Sequence, residues 1–167
     1  MSSNAFDLLA AGYDAGFSHT TLGAYYRQAV QQQMLNYWAG GKEILELNAG
    51  TGEDALFLAA QGNRVLATDL SSQMVAQIEH KVSNSTNQPP VTTAVLGIEQ
   101  LAQLAPQQFD GILSNFGGLN CVKDLAQFIS DADARLKPGG VLMVTLMGRW
   151  VPWEWLYYLS HGQWQKA

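Results

Sequence analysis

The chain has 167 residues at 18.2 kDa, 47% of them hydrophobic and 14% charged, with a formal net charge of −5. That is enough for one domain burying roughly two-thirds of its unfolded surface, and it excludes a disordered chain, which would be poor in aromatics and rich in charge. The acidic balance argues against nucleic acid as a partner; the longest apolar runs, such as Val141 to Met147, fall short of the roughly 20 residues of a membrane helix; and a lone Cys121 makes neither an internal disulfide nor a Cys-rich zinc site.

Met1 to Ala10 carries Asp7 and no Lys or Arg, unlike the basic start of a signal peptide, so a cytoplasmic location is expected. Thr20 to Trp38 reads as a long helix with Leu22, Tyr26, Ala29, Val30, Met34 and Trp38 on one side. Five short runs rich in Val, Ile and Leu read as strands: Glu43–Leu47, Arg64–Asp69, Thr92–Leu96, Phe109–Asn115 and Gly140–Leu146. Their lack of alternation suits strands buried on both faces. Between them, Glu53 to Ala60 is helical and stops at Gly62. Ser71 or Ser72 caps a helix that buries Met74, Val75 and Ile78, and Asp124 to Leu136 is a helix ended by Pro138-Gly139-Gly140. The polar stretch Ser83 to Pro90 is a long connection. Alternating strands and helices predict an α/β fold with a parallel sheet, right-handed crossovers and helices on both faces. We expect a single domain over 1–167, with N-terminal helices (1–40), a ligand-binding core (41–148) and an aromatic C-terminal helix (149–167).

The densest chemistry is Glu46-Leu-Asn-Ala-Gly-Thr-Gly-Glu-Asp54, between the first strand and its helix. Glycines let backbone N–H groups approach a ligand with no Cβ in the way. A dinucleotide fingerprint would place Glu53, an anion, at the helix start where a pyrophosphate must sit. A Walker-type loop would need a following Gly-Lys-Ser/Thr. The spacing acid-x-Asn-x-Gly-x-Gly suits a cofactor with a positive charge and no phosphate.

These residues resemble motif I of the class I S-adenosylmethionine-dependent methyltransferases, usually acid-x-Gly-x-Gly-x-Gly. Asp69 at the end of the second strand, followed by Leu70-Ser-Ser-Gln-Met74, resembles that family's acid and its Asp-hydrophobic-Ser-x-x-Met stretch. Phe109-Asp-Gly-Ile-Leu-Ser-Asn115 is similar to the fourth-strand motif, and Leu136-Lys-Pro-Gly-Gly-Val-Leu142 to the turn into the fifth. Phe6-Asp-Leu-Leu-Ala-Ala-Gly-Tyr-Asp14 looks like the opening helix of small-molecule members, including quinone-biosynthesis-type enzymes.

The resemblance implies a Rossmann-like, doubly wound sheet in the order 3-2-1-4-5, with no counterpart to the usual strands 6 and 7. It implies S-adenosyl-L-methionine as cofactor and methyl transfer to a small-molecule acceptor, the aromatic tail suggesting an apolar or aromatic one. The alternative is a catalytically incomplete cofactor-binding or interaction module. The fifth-strand edge and the tail also suggest a homo-oligomer.

By the same resemblance, Asp69 takes the ribose hydroxyls, though it also suits a helix N-cap beside Ser71. Glu46 reaches toward the methionine end or the loop amides, or is an ordinary strand-end carboxylate. Asn48, Ala49, Gly50 and Gly52 form the loop, Asn48 replacing the usual first glycine. Met74 and Ile98 clamp the adenine or belong to the core, Leu70 beside Asp69 is counted with the cofactor-binding residues, and Glu99 stands in for an acid missing at Gly97. The Asn115 carbonyl meets the cofactor's ammonium, and Tyr13 closes over the methionyl carboxylate, with Tyr26 and Arg27 as weaker candidates. No general base stands out. His19 is the candidate, then Glu154, and Cys121 faces the pocket or is a small buried residue. No metal is expected.

Overall fold

In the computed structural model, which describes Asp7 and residues 10–148, the apolar runs pair as one parallel sheet. Its strands are β1 (Glu43–Leu47), β2 (Arg64–Asp69), β3 (Val91–Val95), β4 (Phe109–Ser114) and β5 (Leu136–Val144), in the order β3-β2-β1-β4-β5. β1 is the centre: Ile44 lies opposite Val65 of β2 and Gly111 of β4.

Successive side chains of a strand point to opposite faces, and β1 feeds two cores accordingly. Ile44 joins Met34, Trp38, Leu58 and Ile78 under three helices, α1 (Thr21–Tyr37), α2 (Glu53–Ala60) and α3 (Ser72–Asn84). Leu45 and Leu47 join Leu101, Ile112 and Phe128 under a 3-10 turn (Ile98–Gln103) and α4 (Leu125–Arg135). The helix starts are chemically marked: Thr20, Ser71 and Asp124 each accept a backbone N–H in the first turn of α1, α3 and α4.

β1, α2 and β2 lie where the sequence places them, and β3 begins one residue early. Three expectations need correction. β5 starts at Leu136, not Gly140, because Leu136 bridges Phe109 before the Pro-Gly-Gly stretch; the register then shifts, and Val141 faces Gly111. The described part of the opening segment is a 3-10 turn (Ala10–Gly12) and a π-helical turn (Asp14–Ser18). α1 turns Gly23, Met34 and Trp38 inward, with Val30 against the core, while Leu22, Tyr26 and Ala29 are exposed. The inward row includes Arg27, for which α2 supplies a buried carboxylate. The expected C-terminal helix and Glu154 lie outside the described residues.

Among the described residues, no helix is long and apolar enough to cross a membrane.

Candidate functional site

β1 and β4 are neighbours, yet the chain leaves β1 toward one face of the sheet and β4 toward the other. In such sheets the crevice at the strands' carboxyl ends is where ligands bind, and a cavity of about 600 Å³ opens there.

The glycine loop forms one side. Gly50 (φ 57°) and Gly52 (φ 80°) are left-handed, which lets the chain turn from β1 into α2. The Gly50 amide donates to Asp69 Oδ2 at 2.9 Å and the Ser71 amide to Oδ1 at 2.8 Å, so Asp69 is locked between two loops. Burial raises its carboxyl above the usual range, against the pull of those two amides. Ser71 itself caps α3 through Met74 N.

The floor is a buried polar cluster. Glu46, on the same face of β1 as Ile44, is 2% exposed; one oxygen takes the Ala55 amide and Oε2 has no partner. Burial, then the charge of Asp54, pushes its carboxyl well above the usual range, against Arg27. Asp54, also 2% exposed, accepts from Arg27 Nη1 at 2.6 Å, Asn115 Nδ2 at 2.8 Å and Gln31 Nε2 at 3.3 Å. The Arg27 guanidinium lies 4.6 Å from the Phe116 ring centroid, and its Nε is buried without a partner. Unsatisfied buried atoms are costly. Those two atoms are closed off from solvent, but an acid and a base, Glu46 and Arg27, both line the cavity, which suits a ligand carrying both an ammonium and a carboxylate.

The roof comes from the segment before α1. Tyr13 lines the cavity, and burial raises its phenol above the usual range. Beside it, Asp14 accepts from Thr51 Oγ1 at 2.5 Å and Lys81 Nζ at 2.6 Å. Burial works upward on Asp14, but these bonds win and hold its carboxyl below the usual range. Asp14, His19 and Glu53 bring ligand-type atoms within 4.8 Å of one another, and the Lys81 ammonium, 2.7 Å from Glu53, supplies the cation there.

Of the residues singled out from sequence, Tyr13, Glu46, Asn48, Ala49, Gly50, Asp69, Leu70, Met74, Ile98 and Asn115 all line this cavity, as do Gly97, Glu99, Cys121 and Arg27. Gly52 does not; a Cβ there would run into Ile78, so it serves the packing of α2 on α3. His19 is outside the lining, 65% exposed and 3.9 Å from Glu53. Tyr26 is exposed on α1, and Cys121 is exposed rather than buried. Glu99 Oε1 accepts the Lys123 amide. Sequence reasoning missed Asp54 and Phe116 and underrated Arg27. The signal was the spacing on α1: Arg27 and Gln31 share a row with Met34 and Trp38, and a charge on a buried row calls for a partner.

The Methyltransferase domain model matches residues 44–140. A demethylmenaquinone methyltransferase of Beutenbergia cavernae is 29% identical over 153 residues, 90% of this chain and 56% of that one. One of Thermobifida fusca is 30% identical over 141 residues, 83% and 58%. Among solved structures, the DhpI-SAM-HEP complex superposes with a TM-score of 0.67 at 23% identity, covering 91% of this chain and 67% of that one. The chain spans about half the length of the curated relatives it matches. With more than half of its residues under the family model and a five-stranded sheet in the order β3-β2-β1-β4-β5, this chain belongs to the methyltransferase domain family.

Proposed function

We propose that the cavity binds S-adenosylmethionine and that the domain transfers its methyl group to a small-molecule acceptor in the cytoplasm. The observation that carries this reading is an acid and a base, Glu46 and Arg27, lining one cavity together with the glycine loop and Asp69. Glu46 takes the ammonium of the methionyl end and Arg27 its carboxylate, with Tyr13 above them. Asp69, fixed by Gly50 and Ser71, presents its remaining lone pairs to the ribose hydroxyls. Leu70, Met74 and Ile98 give the adenine an apolar slot. When bound, the cofactor supplies a methyl group activated on a sulfonium; the chain's own contribution is to orient it and to keep water away. The relatives that act on demethylmenaquinone support an apolar, ring-bearing acceptor.

Calorimetric titration with S-adenosylhomocysteine, with NADH as control, tests the reading. Micromolar binding of the first and none of the second is expected; no binding of the first sinks it. Asp69→Ala should weaken that binding by about 1–3 kcal/mol, the scale of hydrogen bonds to a charged group; unchanged affinity removes Asp69 from the ribose.

Glu46 makes binding proton-linked. Its raised carboxyl favours the protonated form in the unliganded protein, whereas a cationic ligand favours the carboxylate, so binding is accompanied by proton release. Affinity should therefore rise with pH from the ordinary glutamate range up to the raised value and then level off. The same shift makes the empty protein lose stability across that window, because the folded state binds more protons than the unfolded one. Titrations in buffers of different ionisation enthalpy read the released proton directly, and Glu46→Gln should abolish it.

A second reading, a donor half without a complete acceptor site, is favoured by β5, an edge strand of the sheet with no fully buried residue. A chain that binds S-adenosylhomocysteine yet methylates no quinol, phenol or amine would support it.

A further inference from the structure

Asn48 stands where a glycine would turn most easily. Its φ is 49°, a left-handed conformation that a side chain makes costly and that persists only where the surroundings over-determine it. The surroundings do so. Asn48 Nδ2 donates to the Asn115 carbonyl at 2.7 Å, and Asn48 Oδ1 accepts from Ser114 Oγ at 2.6 Å. Both partners are buried residues at the carboxyl end of β4. The side chain thus spans from the loop after β1 to the end of β4, in the lining of the cavity. On its far side the fit is complete: a Cβ on Gly118 would overlap the Asn48 amide, so the turn after β4 closes on Asn48 only because residue 118 has no side chain.

From this geometry we infer that Asn48 is a positioning residue, and that the Asn48–Gly118 contact sets the spacing of the loops after β1 and β4 and the direction of the Asn115 carbonyl for the ligand. The inference rests on the cofactor reading above. One lone pair of the Asn115 oxygen is consumed by Asn48, which aims the other. Asn115 also donates to Asp54 and, through Oδ1, accepts the Phe116 amide, so fixing this one residue fixes the pair that faces the Arg27 guanidinium. Phe116 is itself left-handed, with φ 51°. Two side chains in a conformation suited to glycine, on facing loops of one cavity, mark where the backbone is held for a purpose other than ease of folding.

The test separates positioning from plain stability. Asn48→Gly removes the amide bridge but relieves the left-handed backbone, so the melting temperature should stay near the wild type while affinity for S-adenosylhomocysteine falls about tenfold, the effect of one net hydrogen bond. Asn48→Asp keeps the acceptor for Ser114 and loses the donor to Asn115, and should be as weak as the glycine variant. Gly118→Ala should lower affinity at least as far by displacing the Asn48 amide. In the Asn48→Gly background, where that amide is gone, Gly118→Ala should cause no further loss. Wild-type binding with unchanged affinity in Asn48→Gly, or a full Gly118→Ala loss in both backgrounds, overturns the inference alone. Absence of binding by the wild type overturns the cofactor reading and this inference with it.

Discussion

Replacing Asp54 by alanine should remove about 3–5 kcal/mol of folding stability, the cost of breaking a buried ion pair by deleting one partner. Arg27 is 12% exposed and its Nη1 lies 2.6 Å from Asp54, so the substitution leaves a guanidinium in the interior without the carboxylate it is bonded to. Gln31 and Asn115 lose their acceptor as well. Against a total of about 5–15 kcal/mol for a domain, this is a large fraction. The urea midpoint should fall steeply with little change in slope. The pair itself contributes less than its rupture costs, because two desolvated charges offset much of their own attraction. The double variant Arg27→Met with Asp54→Leu should therefore recover most of the lost stability while, on the proposed function, abolishing ligand binding, since that reading makes Arg27 the donor for the ligand's carboxylate. A loss below about 1 kcal/mol in Asp54→Ala, the level of a surface pair, would mean that water reaches the cluster.

The second large effect is expected at Trp38. It is 1% exposed, at the end of α1, and a Cβ on Gly111 in β4 would overlap its indole ring. Trp38→Ala should cost about 3–5 kcal/mol through lost burial and the cavity it leaves. Gly111→Ala should cost about 1–3 kcal/mol in the wild type, because the indole has to move within a packed core. Combined with Trp38→Ala the added methyl has room, and its cost should vanish or change sign. A double-mutant cycle in urea measures that coupling; additive losses would show that the helix, not the ring, takes up the strain.

Much of this architecture is legible in the chain. β1, α2 and β2 follow from short apolar runs punctuated by glycine, and Ser71 marks α3 because a hydroxyl there satisfies the Met74 amide. What escapes is what depends on distant partners. Pro138-Gly139-Gly140 reads as a stop, yet a single bridge from Leu136 to Phe109 carries the strand across it. Arg27 looks like a solvated helix residue until α2 supplies Asp54. Periodicity placed Leu22 and Tyr26 inside, but the inward row of α1 is set by the Asp54 carboxylate as much as by apolar area. The contribution of Asn48 lies in its bonds to Ser114 and Asn115, 66 and 67 positions away. The 3-10 turn at Ile98–Gln103, which brings Ile98 and Glu99 to the cavity, rests on Gln100 capping its own start; nothing in its apolar pattern announces it.

The stretch matched by the family model begins at Ile44, whereas Tyr13, Arg27 and Gln31 all precede it. The matched stretch therefore holds most of the sheet and the glycine loop, whereas the neutralising cation and the roof come from the chain before it. Asp54, inside the matched stretch, depends for its counter-charge on Arg27, outside it. Excised at that boundary, the module would hold a buried carboxylate with no counter-charge.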